Sequence, residues 1–203
     1  MHDKAESVRL HLLADLSYQG KLLRFIENHD ELRATAIFAL GQTRTAAISA
    51  ATLPGARLFH DGQFEGYKVK LPVQLGRRPH EPVDLELQAF YFRLLETIHD
   101  PAFHDGEWQI CGRTGWPDNP TYMNLAAWGW RYRAERFLIV VNLSNSSAQG
   151  RVCLPWSGLA GRTWHLTDLF SGEVFLRNGN ELQAPGLFVG LDPWGFHFLR
   201  FEG

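Results

Sequence analysis

The stretch Leu22-Leu23-Arg24-Phe25-Ile26-Glu27-Asn28-His29-Asp30-Glu31 decides how this 203-residue chain is read. Its first half is a short apolar run, preceded by the polar break Ser17 to Gly20 and too brief for a helix of its own, so it predicts a buried strand. Phe25 and Ile26 are expected inside. Its second half is a cluster of polar residues, and behind it a helix-like stretch rich in Ala, Ile and Leu runs to Thr52, where Leu53-Pro54-Gly55 stops it. The grammar is strand, polar tip, helix.

The same grammar follows at once. Ala56 to His60 is a second apolar run, Asp61-Gly62-Gln63 is its polar tip, and a long loop containing Pro72, Pro79 and Pro82 leads to another helix. In that helix, Asp84 to Ile98, the residues Leu87, Phe90, Tyr91, Leu94, Leu95 and Ile98 repeat with helical period, and Pro101 closes the segment. Upstream, Asp3 to Tyr18 places Val8, Leu12, Leu13 and Leu16 on one face of a predicted amphipathic helix. Helix, strand, helix, strand, helix is the order of two consecutive βα units, whose helical crossovers imply parallel strands.

Past His104 the chain changes to short β-rich runs separated by Gly, Asn, Pro and Ser. Phe137 to Asn142, Arg151 to Leu154, Thr163 to Leu166, Glu173 to Leu176, Leu187 to Leu191 and Gly195 to Phe201 read as strands, and Asn178-Gly179 as a tight hairpin turn. The fold class is therefore an α/β part over residues 1–104 followed by an all-β antiparallel sandwich over 105–203.

Composition narrows the function. A formal net charge of -2 with scattered Lys and Arg excludes the basic footprint that phosphate backbones require, so nucleic acid is not an expected partner. No stretch reaches the roughly 18 apolar residues of a membrane span, and the charged N-terminus has no apolar core of a leader; no membrane partner is expected, and the cytoplasm is the favoured compartment. Cys111 and Cys153 lie outside any zinc-binding spacing and read as reduced, buried thiols. No cofactor or metal is implied.

In parallel α/β architectures, reacting groups sit where strands end and the following loops begin. Both polar tips occupy that position. A carboxylate there accepts hydrogen bonds from ligand hydroxyls and a neighbouring imidazole donates another, which is chemistry suited to a sugar ring. Phe25-Ile26-Glu27-Asn28-His29-Asp30-Glu31-x-Arg33 resembles the fourth conserved region of the α-amylase family of glycoside hydrolases. Leu53-Pro54-Gly55-Ala56-Arg57-Leu58-Phe59-His60-Asp61-Gly62-Gln63 is similar to that family's eighth barrel strand. Leu125 to Trp130, Phe137 to Asn142 and Trp194 to Phe201 are similar to the antiparallel domain that follows the barrel.

The resemblance implies that these are the last βα units of a (β/α)8 barrel of TIM type, acting on α-linked glucans or maltooligosaccharides as hydrolase or transglycosylase. It implies that Asp30 is the carboxylate that stabilises the oxocarbenium-like transition state, with His29, Asn28 and Gln63 binding substrate. A retaining enzyme also needs a nucleophile and an acid about 5 Å apart, and nothing before Leu22 has the pattern that would supply them. The chain alone is therefore expected to be inactive, and to associate with another copy or with the missing barrel portion. Asp105-Gly106-Glu107 follows the motif rather than preceding it and is set aside. Phe64 departs from the family pattern, in which Gly-Gln is commonly followed by Glu.

Plainer readings stand beside these. Asp30 and His29 could simply cap a strand end. The pairs His60-Asp61, His99-Asp100 and His104-Asp105 could be metal ligands, but turn and cap roles suffice for the latter two. Of the seven tryptophans, Trp108, Trp116 and Trp156 lie in loop-like contexts where a sugar could stack, although core packing is the commoner use. Trp128, Trp130, Trp164 and Trp194 are assigned to the β core or its seam with the helices. The alternative function is a non-catalytic glucan-binding or interaction module carried by the β-domain.

Overall fold

Helix α1 (His2–Leu12) opens the structure, a computed structural model that describes residues 2–72, 74 and 77–203. The other positions of the long proline-containing loop, Val73, Leu75 and Gly76, lie outside the described residues, as does Met1. The helix expected to continue to Tyr18 is instead two helices, because α2 (Leu16–Gln19) belongs to a different unit. One unit is Leu16–His99; the other is Met1–Asp15 with Asp100–Gly203. Of the apolar face expected on α1, only Leu12 is buried, together with Ala5, whereas Val8 and Leu13 are exposed.

In the α/β unit, strand β1 (Leu23–Arg24) is followed by helices α3 (Ala34–Ile37) and α4 (Leu40–Thr52) and then by β2 (Ala56–Arg57). The two strands are parallel, with Leu23 opposite Ala56 and Arg24 opposite Arg57. Both are shorter than the apolar runs that announced them, since each has one partner and pairing ends at the bond from Leu58 N to Arg24 O, 2.9 Å. Phe25, expected inside, is 41% exposed and Leu23 is 50% exposed. Leu23 lies in β1 and Phe25 directly follows that strand, and among the described residues no further strand pairs with β1 or β2. Gly55 makes the turn into β2 with φ +114°, and a Cβ there would stand 2.3 Å from Leu22 O, so only glycine fits.

Helix α5 (Leu85–Ile98) forms as its periodicity predicts. Asp84 caps it by accepting from Leu87 N at 3.0 Å, and Leu87, Phe90, Tyr91, Leu94 and Ile98 form its buried face.

The β unit holds α6 (Ala102–Asp105), β3 (Glu107–Ile110), β4 (Gly112–Thr114), a 3-10 turn (Pro120–Asn124), β5 (Leu125–Tyr132), β6 (Glu135–Asn142), β7 (Ala148–Cys153), β8 (Thr163–Asp168), β9 (Val174–Asn178), α7 (Gly179–Gln183), β10 (Leu187–Leu191) and β11 (Phe196–Glu202). A six-stranded antiparallel sheet, β3-β5-β6-β11-β8-β9, faces a three-stranded one, β10-β7-β4. Their inner faces share a core that includes Leu138, Val140, Leu166, Leu199 and Phe201 from one sheet and Val152, Leu187 and Val189 from the other. Strands β7, β8 and β10 alternate buried and open residues, as a half-covered sheet requires. Central β6 is buried on both faces because α6 covers its back, with Phe103 5.0 Å from Phe137 and 5.5 Å from Phe198 between ring centroids.

Three local expectations change. Trp108, placed in a loop, is a buried residue of β3, and Trp156 is buried in the core between the sheets. Asn178-Gly179 does not make a hairpin turn; Asn178 caps α7, its side chain accepting from Asn180 N at 2.8 Å. Both cysteines are free thiols, Cys111 buried and Cys153 only partly so.

Candidate functional site

The polar tips behind β1 and β2 are adjacent because the strands are parallel and in register. The tip of β1 hangs on a residue that the sequence reading treats as part of a polar surface. Glu27 is 1% exposed in its side chain, and its Oε2 accepts from Ala34 N at 2.6 Å, satisfying the first turn of α3. Its Oε1 stands 3.1 Å from Nη1 of Arg33, itself 5% exposed. That contact is an ion pair without an aligned hydrogen bond, since Oε1 has no hydrogen-bond partner.

Arg33 then reaches the second tip. Its Nη2 donates to Asp61 O at 2.7 Å and its Nε to Tyr67 O at 3.3 Å. Gly62, with φ +82°, is required beneath this bridge, because a Cβ would come within 2.4 Å of Arg33 Nη2 and 2.5 Å of the Tyr67 ring. The buried pair thus fixes both loops. Glu27 and Arg33 were present in the motif, but nothing in one sequence distinguishes a buried ion pair from two solvated charges six positions apart.

On this base Asn28 builds a turn. Its Oδ1 accepts from the backbone N–H groups of Asp30 at 2.8 Å and Glu31 at 3.0 Å. The turn presents His29 and Asp30 side by side, Nε2 and Oδ2 3.4 Å apart, with side chains 66% and 76% exposed. Lys70 donates its ammonium to Asp30 O, leaving the Asp30 carboxylate outside that bond. Half-buried Asn28 and exposed His29 and Asp30 therefore form one constellation at the C-terminal end of β1, in which His29 and Asp30 can donate to and accept from hydroxyls.

Gln63 stands apart from them in its environment. It is 4% exposed; its Oε1 accepts from His60 N at 3.0 Å and its Nε2 donates to Tyr91 Oη at 3.0 Å. Burial pushes the Tyr91 phenol up to about 12, so it stays neutral and serves as acceptor. Phe64, the departure from the family pattern, stacks on Tyr91 at 4.9 Å and meets Phe59 edge-on at 5.4 Å, which gives an aromatic residue at this position a packing role. His60 titrates below the ordinary imidazole value, first because it is partly buried and then because the Arg33 guanidinium disfavours its charged form. Asp61 is paired with Arg78.

The other His-Asp pairs do not join this site. His99 ends α5, Asp100 Oδ1 accepts from Ala102 N at 2.8 Å, and His104 and Asp105 lie in α6. Among the described residues, no group of three or more His, Cys, Asp or Glu could hold a metal ion, and no helix is long and apolar enough to cross a membrane.

No protein-family model and no curated protein matches this sequence. Solved structures do match in fold. The α-amylase of Geobacillus thermoleovorans, complexed with acarbose, aligns over 93% of this chain and 42% of its own, at 14% identity and a TM-score of 0.70. An Anoxybacillus α-amylase aligns over 97% of this chain and 41% of its own, at 17% identity and a TM-score of 0.69. A debranching enzyme of Nostoc punctiforme, soaked with acarbose, aligns over 97% and 37%, at 17% identity and a TM-score of 0.63. The chain spans less than half the length of each of these three structures while they account for nearly all of it. With its parallel strand pair, its helical crossover and the antiparallel sandwich that follows them in sequence, the chain has a partial α-amylase-family fold.

Proposed function

We propose that this chain supplies the end of the catalytic barrel and the following β-domain of a retaining hydrolase or transglycosylase of α-linked glucans, and that it is inactive by itself. The observation that carries the reading is the exposed Asp30–His29 pair, set at a strand's C-terminal end by a turn that the buried Glu27–Arg33 pair anchors. Cleavage of a glycosidic bond builds positive charge on the anomeric carbon and ring oxygen, and a retaining reaction places a nucleophile and an acid about 5 Å apart around it. In this proposal Asp30 grips ring hydroxyls more tightly as the ring flattens and so favours the transition state. His29 donates to the same ring, and Asn28 holds the turn from which both project. Gln63 sets the β2 tip against which the sugar rests. The nucleophile and acid come from a polypeptide carrying further strands, in the same chain or another.

The apolar surface on the α/β unit supports such a partner. Leu23, Phe25, Leu32, Ile37 and Leu40 are all exposed, and β1 and β2 end in unpaired edges within that unit. The test is a nuclear magnetic resonance titration of the full chain with acarbose, together with an assay on starch. We expect the Asp30 amide and His29 ring signals to move, the response to disappear in Asp30→Asn, and no starch to be cleaved. Starch cleavage by the chain alone, or an undiminished acarbose response in Asp30→Asn, overturns the proposal.

A further inference from the structure

The geometry points to a second, non-catalytic glucan-binding site in the β unit, in a cleft of about 560 Å³ beside the end of β10. The choice of a glucan rests on the reading of the α/β unit given above; the site itself rests on the cleft. Its polar lining comes from Asn119, Thr121, Ser147, Gln149, Asp192 and His197, and Gly190 contributes bare backbone.

Several of these groups are unused by the fold. Gln149 bonds through its backbone N–H to Thr121 Oγ1 at 3.1 Å, while its side-chain amide has no partner among the described residues. Asn119 uses Oδ1 to cap Thr121, and its amide N–H groups have no partner among the described residues. The Asp192 carboxylate likewise makes no bond among them, although its backbone oxygen accepts from Asn142. His197 is aimed by a buried carboxylate: its Nδ1 lies 2.7 Å from Asp168 Oδ2, so Nε2 is the ring nitrogen left for a ligand. Asp168 is in turn held by the backbone N–H groups of Phe170 at 2.9 Å and Ser171 at 3.1 Å.

This set of groups selects among ligands. No Lys or Arg lines the cleft and one carboxylate does, which disfavours phosphate and other anions. A single carboxylate with amides and an imidazole does not make a metal site. Amide donors, amide and carboxylate acceptors and an oriented imidazole together match a neutral ligand with many hydroxyls. Beside the cleft, outside its lining, an aromatic step offers an apolar face on which a pyranose could stack. Phe188 lies over Gly190, its nearest ring atoms 4.0 Å from where a Gly190 Cβ would stand, and Trp116 meets Phe188 at 6.1 Å between centroids. Both rings are open to solvent, Trp116 by 37% and Phe188 by 46%. Trp116 is thus the one of the three loop-assigned tryptophans that stays available for stacking.

Gly190 provides the test. Its backbone is ordinary strand at the sheet edge, and an added Cβ would meet nothing closer than the Phe188 ring at 4.0 Å, so Gly190→Leu is expected to fill the cleft and leave the fold intact. In a magnetic resonance titration of the full chain with maltoheptaose, the side-chain amide signals of Gln149 and Asn119 should move and report binding at the cleft. Gly190→Leu should weaken it at least about tenfold with an unchanged melting temperature, and Gln149→Ala serves as the second variant should Gly190→Leu melt early. Absence of binding, binding untouched in Gly190→Leu and Gln149→Ala, or shifts confined to Asp30 and His29 would overturn the inference. In the last case the glucan reading of the α/β unit survives. If instead maltoheptaose binds through Gly190 while acarbose ignores Asp30, the reading of the α/β unit fails and this site stands.

Discussion

The α/β unit and the β unit solve the problem of burial differently. The β unit closes on itself: two antiparallel sheets share one core, and α6 covers the back of the larger sheet. The α/β unit has two strands of two residues each and leaves Leu23 of the first, and Phe25 directly after it, in solvent. What ties its loops together is polar, the buried Glu27–Arg33 pair and the Gln63–Tyr91 bond, where the β unit relies on apolar layers. An open unit held by buried charge is expected to be the weaker of the two. All seven tryptophans lie in the β unit, so tryptophan fluorescence reports on that unit's unfolding.

The largest effect should follow from Arg33→Met. It leaves Glu27 charged and buried without its partner and removes the bonds to Asp61 O and Tyr67 O, a loss of about 3–5 kcal/mol by the usual cost of a broken buried pair. Helical circular dichroism should fall early in a urea titration while tryptophan fluorescence keeps its midpoint. The double variant Glu27→Gln with Arg33→Met should recover most of the loss, since no isolated charge remains. A shift of both probes together would break the comparison.

The counterpart in the β unit is Asn142→Ala. Asn142 is fully buried at the end of β6; its Nδ2 donates to Ser146 O at 2.7 Å and Asp192 O at 2.8 Å, and its Oδ1 accepts from Ser144 N and Oγ. Truncation strands those groups and should cost about 2 kcal/mol, read as an earlier fluorescence midpoint with the helical signal unmoved.

Acid should separate the units again. His60 has a lowered pKa in the folded chain, so the unfolded chain binds its proton more readily, and the α/β unit loses stability as pH falls below about 6.5. Burial alone would raise Asp168, but the His197 imidazole and the amides of Phe170 and Ser171 outweigh it and hold the carboxyl below its usual range. The stability this confers is complete above about pH 4 and is lost as pH falls through the lowered value. The helical signal should therefore weaken at mildly acidic pH and the fluorescence only in stronger acid. His60→Gln should flatten the first limb and Asp168→Asn the second.

How much of this was legible varied with the physics of each element. Helix α5 was readable because five of its residues repeat on one buried face with a capping Asp84 in front, and β10 because Leu187 to Leu191 is a short apolar run between Pro185-Gly186 and Asp192-Pro193. Strands β3 and β4 were not, since Glu107–Ile110 and Gly112–Thr114 are too short to carry a strand signal of their own and gain their form from pairing with the distant β5 and β7. The exposure of Phe25 was misread for a related reason: an apolar run signals a surface meant for covering, and only the tertiary structure says whether the cover is present. At the site, the Asn28-His29-Asp30 turn was visible as a motif, whereas the Glu27–Arg33 anchor depends on burial that one sequence does not carry.

The smallest expected effect on stability sharpens the division between anchor and displayed groups. Asp30 is 76% exposed, and the bond at its residue that joins another segment, from Lys70, goes to its backbone oxygen. Asp30→Asn keeps the side chain's shape and forgoes only the solvated contact with His29, so unfolding should shift by less than about 0.5 kcal/mol. The same change removes the negative charge that an oxocarbenium-like ring would feel, so the acarbose response should vanish while both unfolding midpoints stay in place. If Asp30→Asn instead destabilises the α/β unit as Arg33→Met does, the carboxylate belongs to the scaffold, and the plain strand-cap reading of the tip replaces the catalytic one.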